Sequence, residues 1–255
     1  MSRIRLSFLA ATLVVAGLAS PASAQHDFGS VELGEIRTEC NTLCYGGGCI
    51  ASGTVESLEI GPPFFVRRIR RGIGADDLCN DPSASSAAEL PVTLAVGEAL
   101  VFDVDLVATS QGSHQEPLLV GGTPFAARRA EVVPAGPCPV SESEALCLRD
   151  GRFTVRSTWR TVLATRGASG KVPGVSSQDS GLLYFFNPSN WEVLLKVLYG
   201  CPVNDRFWVF AAATTNVEYT ITVTDTQEQV SRSYFNRLDK AAEPIQDTGA
   251  FATCP

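Results

Sequence analysis

The sequence predicts an all-β protein made of two tandem antiparallel β-sandwich domains that follow a cleaved signal peptide. Three observations support this prediction: an apolar leader at the N-terminus, many short segments in which apolar and polar residues alternate, and turn-forming residues between those segments. With 255 residues, the chain is long enough for two such domains. Its 45% hydrophobic and 18% charged residues are typical of a folded protein and not of a disordered one.

Residues 1–24 have the features of a secretory signal peptide. Arg3 and Arg5 give the positive start, residues 6–18 are apolar and uncharged, and residues 22–24 form a small-residue cleavage site. The apolar run is too short for a comfortable membrane span, and no later segment reaches that length. We therefore expect a secreted or periplasmic protein without a membrane span.

Eight cysteines in an oxidising compartment predict disulfide bonds. They fall into two groups of four: Cys40, Cys44, Cys49 and Cys79, then Cys138, Cys147, Cys201 and Cys254. In the second group we expect the pairs Cys138–Cys147 and Cys201–Cys254. In the first group we expect pairing among its own members, with the connectivity open. The close spacing of Cys40, Cys44 and Cys49 also suits a metal knuckle, but the usual C-x2-C pair is absent, and export favours disulfides.

Strand signals dominate the chain. Residues 100–106 place apolar side chains at every second position and Asp103 and Asp105 between them, which predicts a strand with one buried face and two solvated acids. Residues 182–186, 193–198 and 207–211 are apolar runs that predict well-buried strands. A short helix over residues 191–199 is the alternative for the second run, because short apolar runs fit either structure.

Turn chemistry divides these strands into two domains. Asp150-Gly151 is a strong hairpin signal, and the proline-bounded residues 134–137 are the best linker. We therefore expect a first domain over residues 25–133 and a second over residues 138–255. Residues 75–88 and 167–180 are polar and rich in small side chains, which predicts two flexible loops suited to contact with a partner.

The first domain resembles the hydin-type immunoglobulin-like (choice-of-anchor-like) domains of exported bacterial proteins over residues 28–121. The resemblance is carried by residues 28–31, Gly34, Pro63-Phe64, Leu94, Gly97, residues 101–106, Gly112 and residues 118–120. The sequence departs from that pattern by its cysteine cluster in the second strand. The resemblance implies an immunoglobulin-like sandwich that acts as a binding or spacer module and has no catalytic residues.

The second domain resembles an uncharacterised C-terminal domain of secreted bacterial proteins over residues 138–255. Its marks are residues 146–148, 150–153, Trp159-Arg160, residues 185–188, Gly200-Cys201, and residues 207–210 and 222–226. The resemblance implies a sandwich architecture and export, and it leaves the function open.

The sequence contains no convincing catalytic set. A serine triad needs a histidine base, and only His26 and His114 are available, with no G-x-S-x-G motif. A copper site at an N-terminal histidine would need cleavage after Gln25, against the small-residue rule. Asp103 and Asp105 are about 7 Å apart in a strand, near a glycosidase spacing, but alternation alone accounts for them. We therefore predict a protein that is not an enzyme.

Three side chains are candidates for binding. Trp191 follows a polar turn and is the tryptophan best placed to be exposed and to stack on a sugar, whereas Trp159 and Trp208 fit a core. Arg68 and Arg70 belong to the densest positive patch, residues 67–71, which predicts a sheet edge protected by charge and suits an acidic partner.

The expected ligands follow from charge and composition. The net charge of −7 excludes a phosphate-tracking nucleic-acid protein, so the expected partner is a protein or a glycan. No cofactor or resident metal is predicted, although calcium suits the loop oxygens of residues such as Asp179 and Asn204. The sequence thus predicts a secreted, disulfide-stabilised, non-catalytic binding or scaffolding protein. The alternatives are a carbohydrate-binding or carbohydrate-active protein and a partner or inhibitor of an exported protease.

Overall fold

A computed structural model of the chain describes residues 25–44, 53–73, 79, 85–140, 143–161 and 166–255. The signal peptide predicted over residues 1–24 lies outside the described residues. The described part consists almost entirely of β-strands, with a single turn of helix, α1 (Cys201–Asn204). The strands of the first half are β1 (Gln25–Glu32), β2 (Ile36–Cys44), β3 (Gly53–Val55), β4 (Leu58–Glu59), β5 (Phe64–Ile73), β6 (Ser85–Ala87), β7 (Val92–Leu94), β8 (Glu98–Val107), β9 (Gly112–Val120) and β10 (Thr123–Val133).

The first half contains two main sheets packed face to face. One has the strand order β1-β10-β9-β4 and the other the order β2-β8-β5-β6, while β3 and β7 form a short additional ribbon. All of these pairs are antiparallel except β1 with β10, which is parallel. Side chains from both main sheets, including Phe28, Leu43, Phe64 and Leu118, share one buried cluster. This shared core makes the first half a sandwich.

The second half repeats this arrangement with its own core. Its strands are β11 (Leu146–Leu148), β12 (Phe153–Arg160), β13 (Arg166–Ala168), β14 (Gly170–Ser176), β15 (Ser180–Tyr184), β16 (Val193–Tyr199), β17 (Phe207–Ala213), β18 (Glu218–Asp225), β19 (Val230–Asn236) and β20 (Ile245–Phe251). One sheet has the order β11-β12-β18-β19 with β13 beside β12, and the other has the order β14-β15-β16-β17-β20. Phe153 and Ile221 of the first sheet pack with Leu195 and Phe251 of the second. The predicted all-β sandwich fold is confirmed.

Among the described residues there are three disulfides, and each lies within one half. The second half contains Cys138–Cys147 and Cys201–Cys254, the two pairs expected from the sequence. The first half contains Cys40–Cys79, a pair within the predicted group of four. The prediction that Cys44 and Cys49 also pair within the first group lies outside the described residues. Cys49 is not among them, and only the backbone of Cys44 is described. Such bridges stabilise small sandwiches mainly by restricting the unfolded chain.

Two local predictions are wrong. Residues 167–180 do not form a flexible loop, because β13, β14 and the start of β15 run through them. Their glycines have a packing role: a side chain at Gly170 would collide with the ring of Tyr184, its partner on β15. The alternative of a helix over residues 191–199 is also wrong, since β16 occupies them. The other predicted loop covers residues 75–88. Its residues 75–78 and 80–84 lie outside the described residues, and β6 occupies residues 85–87.

Candidate functional site

The outward faces of β8 and β12 meet in a contact between the two halves, which we call the seam. Asp103 and Asp105 point out of β8 as the alternation predicts, yet they are only 3% and 2% exposed. They are covered by Arg160 of β12, which is Cα-paired with Glu218 of β18. The prediction of two solvated acids is therefore wrong, because the second half covers this face of the sheet.

Arg160 is the centre of the seam. Its guanidinium donates hydrogen bonds to the carboxylates of Asp105 and Glu218, the latter at 3.0 Å, and Asp103 lies 3.9 Å from its Nε. It also donates to the hydroxyl of Thr38 on β2 (2.6 Å), which in turn donates to Asp105 (2.6 Å). One cation thus ties two strands of the first half to two strands of the second. Charge-assisted bonds of this kind are the strong ones in a buried site.

Burial and charge act in opposite directions on the groups of the seam. Burial raises the pKa of Asp103 and of Glu218, and the nearby Arg160 lowers both. Burial lowers the pKa of Arg160, but the attraction of Asp105 and its neighbours outweighs it, so the net shift is upward. Arg160 therefore remains charged, and the acids it holds are costly to ionise unless it is present.

The positive patch of residues 67–71 lies on β5, between β8 and the short strand β6. Strand β6 pairs with Arg70, Arg71 and Gly72, so the prediction of a sheet edge is wrong for Arg70 and Arg71. The register shifts between Arg67 and Ile69, and Arg68 has a positive φ of 42°, which marks a β-bulge. Buried Arg70 donates to Ser85 of β6 at 2.9 Å, and the charge of Asp103 acts on both Arg68 and Arg70. These two arginines belong to the surroundings of the seam.

Further contacts join the two halves around the charged group of Arg160, Asp103, Asp105 and Glu218. The guanidinium of Arg67 lies 4.0 Å from the ring centre of Phe235 on β19, a cation–π contact across the two halves. Thr222 of β18 donates to the backbone carbonyl of Gly34 at 2.5 Å. The side chain of Gln229 accepts from the backbone NH of Ala135 and donates to its carbonyl, which fixes the predicted linker against the second half.

The opposite sheet of the second half presents a mainly apolar outer face, formed by the outward side chains of β15, β16 and β17, with Lys196 between Leu194 and Leu198 on β16 and opposite Phe210 on β17. These include Leu182, Leu194, Leu198, Trp208 and Phe210, which are half-buried or, for Leu194, 38% exposed. They are neighbours in the sheet, since Leu182 pairs with Leu194 and Leu198 with Trp208. Their strands were predicted to be well buried, and this holds for the inward residues, which belong to the core, whereas the outward residues are partly exposed.

Trp208 is fixed on this outer face, so the prediction that it belongs to the core is wrong. Its ring lies over Gly200, where a side chain would collide with it, and its Nε1 donates to Oδ1 of Asn204 at 2.8 Å. The ring of Phe210 stands edge-on to it, with the centres 6.2 Å apart. The outer face is therefore a preformed apolar surface and not a set of mobile side chains.

A second surface lies in the connection between β15 and β16. Trp191 is 52% exposed, as expected for the best sugar-stacking candidate, and Phe186 beside it in the same connection is 50% exposed. The backbone NH of Asn190 donates to the carbonyl of Asn187, and Nε1 of Trp191 donates to the carbonyl of Pro188 at 3.2 Å. The turn therefore holds its aromatic residues in place. Trp159, in contrast, is buried, as the sequence predicts.

Beside Phe186 lies an open depression of about 530 Å³. Its polar lining comprises Glu192, Thr214, Thr215 and Asn216, and its apolar lining comprises Phe186, Ala213, Val217, Ala241 and Ala242. The backbone NH of Thr214 donates to the carbonyl of Glu192 at 3.0 Å, which joins the two connections that form it. We call this depression, together with Trp191, which directly precedes the lining residue Glu192 in the chain, the loop-end site.

The histidines and loop acids have other partners. His26 lies 3.7 Å from a carboxylate oxygen of Glu39, and Nε2 of His114 contacts the carbonyl of Ser110. Asp179, a candidate calcium ligand, pairs with Arg149. Among the residues described by the structure, no group of three or more His, Cys, Asp or Glu side chains is arranged to hold a metal ion.

The sequence analysis did not predict the role of Arg160 at the seam or of Glu192 and Asn216 at the loop-end site. Arg160 was identified only as a mark of the second domain's resemblance and gave no sign of a buried ion pair, because an arginine at the end of a strand is ordinarily exposed. Glu192 and Asn216 come together only through the pairing of β16 with β17. Of the three binding candidates, Trp191 is 52% exposed, Arg68 is partly buried and Arg70 is buried.

No helix in the described ranges is long and apolar enough to cross a membrane. The three disulfides fit an extracellular or periplasmic protein. Comparison of the chain with protein-family models gives no match, and comparison with curated proteins gives none either, so the two family resemblances remain predictions.

Proposed function

We propose that the chain is an exported, disulfide-bonded, non-catalytic binding or scaffolding protein that docks a protein partner on the outer face of β15–β17. The observation that carries this proposal is the mainly apolar composition of that face, on which Leu194, Leu198, Phe210 and the fixed ring of Trp208 surround Lys196. An antiparallel sheet that faces water on one side ordinarily carries polar residues there. Contiguous apolar surface on a soluble protein marks an interaction site.

The rest of the molecule suits a support for such a surface. The outer face of the other sheet of the second half is engaged at the seam through Arg160 and Thr222. The disulfide Cys201–Cys254 joins α1, whose Asn204 holds Trp208, to the segment after β20. A surface held in this way loses little conformational entropy when it binds, because its side chains are already ordered.

Capture of partners tests the proposal directly. The purified chain is immobilised and exposed to proteins from the extracellular medium of its source, and a captured protein is purified and titrated against the chain. We expect Leu194→Lys combined with Phe210→Lys to abolish this binding, because two charges would be buried in the contact. Val203→Lys is the matched control, since Val203 is 74% exposed on α1 and should tolerate the same change.

Two results would count against the proposal. Equal binding by the wild type and the double-lysine variant would remove the outer face as the docking surface. Substrate turnover by the purified protein that is lost in His114→Ala would contradict a non-catalytic role.

A further inference from the structure

We infer that the loop-end site is a second, separate binding site and that it takes a neutral saccharide. It shares no residue with the outer face of β15–β17, so it does not depend on the docking of a protein there. The inference starts from the two rings that lie furthest into solvent in this connection, Phe186 and Trp191, each half exposed. Fixed aromatic faces next to hydrogen-bonding groups are the combination that binds the C–H faces and hydroxyls of sugars.

The rings are ordered before any ligand arrives. Phe186 packs edge-on against the buried ring of Trp159, with the centres 4.6 Å apart. Trp191 is fixed through its Nε1, which donates to the carbonyl of Pro188. Oδ1 of Asn187 accepts from the backbone NH of Ser189 at 2.9 Å and completes the turn. Side chains held in this way offer stacking surface at little entropic cost.

The polar groups of the site can satisfy hydroxyl groups. Glu192 is only 7% exposed and lines the depression, and its Oε1 accepts from Nδ2 of Asn190 at 2.5 Å. The hydroxyl of Thr214 and the side-chain amide of Asn216 have no hydrogen-bond partner within the described part of the chain. A carboxylate that accepts, a hydroxyl and an amide that does both match the mixed donors and acceptors of a sugar ring.

The charge of the lining selects among saccharides. Among the described residues that line the depression, Glu192 is an anion and none is a cation. An acidic saccharide or a phosphate would be repelled and would lack a counter-charge, whereas a neutral sugar can donate its hydroxyls to the carboxylate. The open shape of the depression leaves room for a chain that extends beyond the bound unit.

Affinity electrophoresis tests this assignment with defined probes. The folded chain is run through native gels that contain neutral polysaccharides (xyloglucan, galactomannan, mixed-linkage glucan and dextran) or acidic ones (alginate and polygalacturonate). We expect at least one neutral polysaccharide to retard the wild type. Trp191→Ala should weaken that binding about tenfold, the value of one aromatic stacking contact. Asn216→Ala, a change at an exposed loop residue, should also weaken it.

The matched control is Tyr199→Ala, which removes a comparably exposed ring from the far end of β16, the strand that follows Trp191, and should bind like the wild type. Retardation by no neutral polysaccharide, retardation by acidic ones alone, or equal retardation of the wild type and both site variants would each overturn the assignment. Because Leu194→Lys with Phe210→Lys leaves the loop-end site intact, that variant should still bind the saccharide. The two proposals can therefore fail independently.

Discussion

The two outer faces of the second half have opposite characters, and each is the reverse of what its polarity suggests. The outer face of β12 and β18 is polar, with Arg160, Glu218 and Thr222, yet it is buried against the first half. The outer face of β15–β17 is apolar apart from residues such as Lys196, with Leu194 and Phe210 on it, yet it is in contact with water. The comparison shows that the polarity of outward residues does not tell whether a sheet face is exposed. A polar face can be buried against a charged partner, and an apolar face can be open to water.

The polar face is stable because its charges are paired. Arg160 balances buried acids from both halves, and Thr38 and Thr222 add hydrogen bonds between them. The apolar face has no such partner in the described residues. On this account the seam is a finished contact within the chain, whereas the outer face of β15–β17 is a contact that awaits another molecule.

The largest effect should come from removing the cation of the seam. Arg160→Met leaves Asp103, Asp105 and Glu218 buried without their counter-charge, and we expect a loss of about 3–5 kcal/mol in the free energy of unfolding. Urea denaturation measures it. The exposed Arg129→Met on β10 is the control and should change the same quantity by less than about 0.5 kcal/mol. Equal effects of the two variants would show that the seam contributes nothing special.

A smaller effect should separate the two aspartates of the seam. Asp105 accepts hydrogen bonds from Arg160 and Thr38, so Asp105→Asn should cost about 2 kcal/mol. Asp103 lies 3.9 Å from Arg160, a looser pair, so Asp103→Asn should change the free energy of unfolding much less. The reverse order of costs, measured in the same urea titrations, would contradict the geometry described for Arg160.

The pH dependence of stability should reflect the burial of Asp103. Burial raises its folded pKa above the ordinary 3.8, so the folded chain binds this proton more readily than the unfolded chain does. The stability it contributes is therefore fully present below the ordinary pKa and is lost as the pH rises through the raised value. Asp103→Asn cannot titrate, so its stability relative to the wild type should increase from pH 4 to pH 7. Asp239→Asn, at an exposed turn, should show no such trend.

The smallest effect on stability is expected on the apolar face. Leu194→Lys places its charge in water, because Leu194 is 38% exposed and points away from the core. The free energy of unfolding should change by less than about 1 kcal/mol. A thermal melt of this variant beside Leu195→Lys is a sharp comparison, since Leu195 is fully buried one position further on. Similar melting temperatures for both would mean that β16 does not have the two faces described here.

Alternation and turn residues were enough to predict the all-β sandwich fold and the inward residues of β8. They could not predict the seam, because the pattern around Asp103 and Asp105 is the same whether water or Arg160 covers it. Apolar runs such as residues 193–198 gave the strand but not its exposed face, since leucine on both sides ordinarily means burial on both. At the loop-end site, the exposure of Trp191 was predictable from its polar turn, whereas the approach of Asn216 depends on strand pairing.

The most direct test of the account is whether the two halves unfold together. All three tryptophans lie in the second half, so their fluorescence follows that half alone, while far-ultraviolet circular dichroism follows both. If the seam joins the halves into one unit, both signals change at the same urea concentration in the wild type and at different concentrations in Arg160→Met. Two separate transitions in the wild type, unchanged by Arg160→Met, would contradict a coupled pair of sandwiches.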